Sequence, residues 1–348
     1  VSAANGLSTR RVGMPGRLVL HVRPRAVLVG VCTLALLLVL AVLSLTMGRL
    51  GIPLGELWTA LSGHADGKEK FVFEELRGPR LSVAIGAGAA LGVSGLLFQS
   101  GTRNPLASPD VVGMTAGAGA GAVVATLWIP LLPLGVGAFA GAAAAAGLVY
   151  LSTGSGFAVP SRIILAGVGV SAMATAFIQY VVMIKDQDES LSLAGYLAGT
   201  LSARTWGQAQ FVGWACLVLL PCALALGPRL RLMELGDAMT DSLGARAGAT
   251  RSLAILIAVA LCAAAVSAAG PIAFVALTAP QIARRLVGGP QGAVVISALT
   301  GAVILAGADL WVQQAGWLGD LPVGILTAAL GGVYLGALLV KEWKKGSA

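Results

Sequence analysis

Charge is what this chain lacks most. Only 11% of its 348 residues are Asp, Glu, Lys or Arg, against roughly 25% in a soluble domain, and the mean hydropathy is +0.88. A water-soluble fold is thereby excluded. Histidine is nearly absent, with His21 and His64 alone, so no histidine-built metal centre or proton relay suggests itself. The four cysteines, Cys32, Cys216, Cys222 and Cys262, lie inside apolar runs without metal-type spacing and read as small buried hydrophobes. No G-x-x-x-x-G-K-[ST] run occurs, so the chain does not bind ATP by a P-loop. No span carries opposed ionisable residues at mid-membrane depth. That disfavours a proton- or sodium-coupled carrier, and the lack of converging paired groups disfavours a membrane enzyme.

Long apolar runs are what the chain has instead. About 20 such residues cross the hydrocarbon core as a helix, and ten stretches qualify: 26–47, 81–100, 111–128, 131–150, 162–183, 209–227, 251–268, 272–288, 292–312 and 322–340. The expected fold is an all-α polytopic membrane protein of about ten transmembrane helices. The division around Ala269, Gly270 and Pro271 is the weakest; a single kinked segment there would invert every later loop. The first run is too long for a signal-peptide core and no A-x-A site follows it, so it reads as an anchor. Residues 1–25 then form a basic tail, 26–340 the transmembrane domain, and 341–348 a second tail with Lys341, Lys344 and Lys345.

Sidedness follows from the basic residues. With the N-terminus cytoplasmic, the outside segments hold Arg49, Lys68, Lys70, Arg77, Arg80, Lys185 and Arg204, and the other 16 of the 23 Lys and Arg fall inside. This is the positive-inside bias, and it puts both termini in the cytoplasm. The basic pI near 9.7 is therefore a membrane-topology signature, with lipid and not nucleic acid as the surrounding partner. Glycines recur every fourth position at Gly88/Gly92, Gly113/Gly117/Gly121 and Gly137/Gly141. Small residues at that spacing let helix backbones approach where lipid offers no hydrophobic drive.

Four stretches carry candidate function. Arg77-Gly-Pro-Arg80 opens the second span at the outer surface; its guanidiniums either anchor the helix at the interface or receive acidic groups of an external partner. On the inner side, Arg103-Asn104-Pro105-Leu-Ala-Ser108-Pro109-Asp110 cannot continue a helix through two prolines, and is a turn or a gate-like elbow. The fifth span, which Ser161 precedes, sets Ser171, Thr175 and Gln179 on one stripe, with Gly167 a turn earlier. Such groups bond neighbouring helices or line a wet path. The loop 228–251 holds a short amphipathic helix: Leu235, Met239 and Leu243 recur at i, i+4, i+8, Asp237 and Asp241 share another face, and Gly244 ends it. It lies on lipid or inserts its ridge into a partner's groove.

From about Arg77 onward the chain resembles the permease subunits of type II ABC importers for ferric siderophores, haem and cobalamin. The marks are RGPR, GLLFQ at 95–99 with RNPLASP and Val112-Gly113, LAGV at 165–168, Gly236-Asp237 with Ser242-Leu243-Gly244, GPIAFVALTAPQIARR, Ala308-Asp309, and Asp320-Leu-Pro-Val-Gly-Ile325. The resemblance implies a non-enzymatic transport subunit in a bacterial cytoplasmic membrane that imports a ferric siderophore, with haem or cobalamin as the alternative cargo. It implies a second permease chain and a substrate-binding protein docked outside on Arg77 and Arg80. It further implies two cytoplasmic ATPases, holding ATP and Mg²⁺, that grip Leu235, Asp237, Met239, Asp241, Ser242, Leu243, Gly244 and Arg246. No cofactor is expected in this chain. Asn104, Pro105, Ser161, Ser171, Thr175 and Gln179 are the expected path or gate. Departures from the family pattern are Gln313, where many relatives carry Arg, Gln281 in place of the usual His, and Val333 where a proline is expected. A docking charge missing on one side is tolerable beside an unlike partner, so the expected pair is a heterodimer.

Overall fold

The computed structural model describes residues 10–12, 20–22, 24–48, 50–110, 112–129, 131–154, 157, 159–184, 195–288, 293–315 and 321–346. Arg49, Lys185, Asp320, the last two residues and most of the tail read at 1–25 lie outside the described residues. Within that tail, β1 (Arg10–Val12) and β2 (Leu20–Val22) pair antiparallel. The rest is helical: α1 (Pro24–Thr46), the short α2 (Leu57–Leu61) and α3 (Gly67–Phe71), α4 (Gly78–Thr102), α5 (Met114–Trp128), α6 (Leu134–Ser152), α7 (Pro160–Ile184), α8 (Trp206–Met233), α9 (Asp237–Ser242), α10 (Ala247–Ala269), α11 (Val275–Val287), α12 (Ala293–Gln314) and α13 (Val323–Gly346). Each of the ten expected spans finds one helix; seven of the described helices are long and apolar enough to cross a membrane, while α5 and α11 are shorter, at 15 and 13 residues.

Burial sorts them. Of the most apolar stretch of each, 78% is buried for both α4 and α10, against 6% for α1 and 17% for α7. The core is therefore α4 and α10, and α1 and α7 are peripheral. The close approaches foreseen from glycine spacing form the seams. A Cβ on Gly121 would lie 2.2 Å from the Gly137 carbonyl oxygen, and one on Gly141 at 2.2 Å from that of Gly117, so α5 and α6 meet backbone to backbone. Gly88 and Gly92 do the same for α4 against Ser297, Gly301 and Ala302 of α12.

Three boundaries differ from the sequence reading. The second span does not begin at RGPR: α3, a wide turn over Val72–Arg77 and α4 form one helical stretch from Gly67 to Thr102. Pro79 fits because it falls in the first turn of α4, where no backbone donor is lost. The loop expected at 228–251 is shorter, because α8 runs on to Met233 through Pro228 and α10 already starts at Ala247. The doubtful seventh and eighth spans are separate: Gly270 (φ 78°) and Phe274 (φ 67°) bracket an extended link. At 13 residues, α11 is only about 20 Å long, so that link completes its crossing. Irregular backbone at membrane depth must be covered by protein. Here it lies against Tyr196 and Gly199, and Tyr196 Oη donates to Val266 O at 2.7 Å.

Candidate functional site

Helix direction gathers the polar residues at the two ends of the bundle. At one end, α9 follows Gly236 (φ 101°), a backbone shape that glycine adopts without strain. Thr240, fully buried, donates to Leu232 O at 2.9 Å and Gly236 O at 2.7 Å. Asp241 accepts from the Ala247 amide at 2.7 Å and so caps α10. Ser242 donates only to Ala238 O. Gly244 (φ 79°) and Arg246 (φ 46°) turn the chain back. Asp237 accepts from Arg251 at 2.8 and 3.0 Å and pairs with Arg103 at 3.2 Å. The acidic face is thus spent on holding the helix down. The ridge faces away: Leu235, Met239 and Leu243 are 64%, 52% and 56% exposed.

At the opposite end, Arg77 and Arg80 are not equivalent. Arg80 forks onto buried Asp309, with Nε at 3.0 Å from both carboxylate oxygens and Nη2 at 2.7 Å from Oδ1. Gln313 donates to the same carboxylate at 2.7 Å. Arg77 donates to the Ser44 carbonyl of α1. The pair, with Glu75, Ser202 and Gln313, borders a cavity of about 360 Å³. Of these two arginines, Arg77 has no carboxylate partner among the described residues.

The stripe on α7 lines an open pocket of about 450 Å³, in which Ser171, Thr175 and Gln179 face Asp110. Of the elbow, only its last residue, Asp110, joins them there among the described residues. Asn104 Oδ1 accepts from the Leu106 amide at 2.9 Å, closing a local turn, and Pro105 O accepts from Gln281 at 2.8 Å. Ser161 is exposed at the start of α7, ten residues from Ser171 and so about 15 Å along the axis. Thus Ser171, Thr175 and Gln179 come together, while Asn104, Pro105 and Ser161 lie elsewhere.

The model of the FecCD transport family matches residues 36–341. The chain belongs to that family. It is 38% identical over 320 residues to the ferric enterobactin transport system permease protein FepG of Escherichia coli, covering 91% of this chain and 96% of that one. It is 38% identical over 310 residues to the Fe(3+) dicitrate transport system permease protein FecD of the same organism, covering 86% and 94%. Among solved structures, one described as an inward-facing metal-chelate-type ABC transporter superposes with a TM-score of 0.81 at 28% identity, over 90% of this chain and 99% of that one. This FecCD-family chain is accordingly a multi-pass permease subunit, a transport protein and not an enzyme.

Several residues of this permease escaped the sequence reading as site residues. Arg251 is 2% exposed and donates to Gly101 O at 2.8 Å. Arg284 donates to Ser100 Oγ at 2.7 Å, and Gln99 to Leu277 O at 3.0 Å. Asp110 was seen only as part of the RNPLASPD turn. In the sequence these arginines read as topology charges; the signal that separates them is a buried guanidinium, which needs a partner and is invisible without the fold.

Proposed function

We propose that this chain is one permease of an ATP-driven importer that carries a ferric siderophore into a bacterial cytoplasm. The observation that carries the reading is near full-length likeness to permeases named for ferric enterobactin and ferric dicitrate. The exposed Leu235–Met239–Leu243 ridge is the seat of a cytoplasmic ATPase, two of which supply the ATP and Mg²⁺ chemistry. A substrate-binding protein docks at the opposite, outer mouth through an acidic group on Arg77. The polar pocket on α7 faces the central path, closed on its far side by a second permease. Gln313 in place of an arginine favours an unlike chain as that partner. Both termini lie in the cytoplasm.

The test is reconstitution with the neighbouring transport subunits in proteoliposomes. ATP-dependent accumulation of iron-labelled siderophore is expected, and none from this chain alone. Accumulation by the lone chain against a gradient without nucleotide, or uptake driven by a proton gradient, would overturn the reading. A complex with two copies of this chain and no second permease would refute the heterodimer.

A further inference from the structure

Seven polar groups from four segments meet at the inner end of α4, and the transport reading explains few of them. Arg251 lies at their centre. Its Nε donates to the Gly101 carbonyl, one of the last-turn acceptors of α4 that have no partner within their own helix. Its Nη2 reaches both oxygens of Asp237, in the first turn of α9. One buried guanidinium therefore clips the C-terminus of α4 to the N-terminus of the ridge-bearing helix. Arg103, the residue that ends α4 with φ 52°, closes the same carboxylate from outside. Beyond Gly101, α4 is fastened to α11 by Gln99 on Leu277 O and Arg284 on Ser100, and the elbow by Gln281 on Pro105 O.

We propose that Arg251 is the positioning residue that makes α9 move with α4, so that displacement of the ridge is delivered to α4 and α11. The physical reason is that the alternatives are expensive. If α9 shifted alone, a buried charge would lose its counter-ion, and truncating such pairs is strongly destabilising. If it shifted with α4 and with the adjoining ends of α8 and α10 that hold Thr240, Asp241 and Arg251, these polar contacts would survive. The link at 270–274 precedes α11 and leaves its upper end without helical continuity to α10, so the α4–α11 inner ends can turn as one piece. The inference rests on the reading of α9 as the ATPase seat.

The test uses the whole reconstituted importer with Asp237→Asn, Arg251→Gln and Arg251→Lys, the last keeping the charge and losing the fork. The readout is siderophore imported per ATP hydrolysed. A fall of about tenfold is expected for Arg251→Gln, with Arg251→Lys between it and the parent, an energy of about 1.4 kcal/mol per factor of ten. Ratios within about twofold of the parent in all three variants, with normal subunit co-purification, would overturn the proposal. Failure of the ATPases to co-purify with the parent chain would instead sink the seat itself. Should the variants not assemble, the parent link can be read directly. Spin labels at Ala238→Cys and Leu106→Cys, in a chain whose four cysteines are replaced, keep a constant separation with and without ATP. A change larger than about half a helical turn, ~3 Å, would show that α9 slips past α4.

Discussion

At the scale of single residues, the outer mouth turns on the difference between two arginines three positions apart. Arg80 is a structural cation, because Asp309 is buried and has Arg80 as its ionic partner. Replacing Asp309 by Ala leaves a guanidinium that is mostly covered and unpaired, at a cost of about 1–3 kcal/mol. The melting midpoint of the purified complex should fall accordingly, and Gln313→Ala should lower it less. On the proposed reading, Arg77 is the cation offered to the binding protein. Arg77→Gln should weaken binding-protein affinity by about tenfold, the scale of one charge-assisted contact, and lower the melting midpoint less than Asp309→Ala does, since only the hydrogen bond to Ser44 O is lost within the chain. Equal affinity for parent and variant in a pull-down titration would remove Arg77 from the docking surface.

At the scale of elements, the exposed ridge and the glycine seams make opposite demands. Leu243 projects from the end of α9 and is 56% exposed. Leu243→Asp should therefore leave the bundle folded while uptake and ATPase co-purification both fall. Retention of full uptake would mean that α9 merely rests on lipid. Gly141 has the reverse character: with a neighbouring carbonyl oxygen 2.2 Å from its would-be Cβ, Gly141→Val must push α5 and α6 apart. Loss of monodisperse protein on size exclusion is the expected result. Both properties were legible beforehand, since glycine spacing and an i, i+4, i+8 ridge are local patterns. The ties of Arg251, Gln281 and Arg284 were not, because each joins residues 150 or more apart in sequence. Nor was the length of α8 at Met233, where Pro228 reads as a breaker and tertiary packing overrides it.

At the scale of the whole molecule, α7 is the element with the most unfinished surroundings. Leu165, Met173, Tyr180 and Met183 stand exposed beside the polar stripe, so lipid or a second subunit has to cover that face. A cysteine at Gln179 distinguishes stripe from lipid face: a water-soluble thiol reagent should modify it, at a rate that changes between nucleotide-free and ATP-bound importer. No modification in either state would reassign Ser171, Thr175 and Gln179 to helix contacts. The number and order of the spans could be read from hydropathy alone. Which helices form the centre could not, since α1 is as apolar as any and yet is the least buried.

The neutralised mouth has a kinetic corollary. Around the outer cavity Asp309 neutralises Arg80 and Glu75 offsets Arg77 in formal count without bonding it, so the field of Arg77 is screened within a Debye length, about 8 Å at physiological ionic strength. Arrival of a loaded carrier at this half of the importer then owes little to electrostatic steering. Raising salt should shorten the residence time there far more than it slows the on-rate.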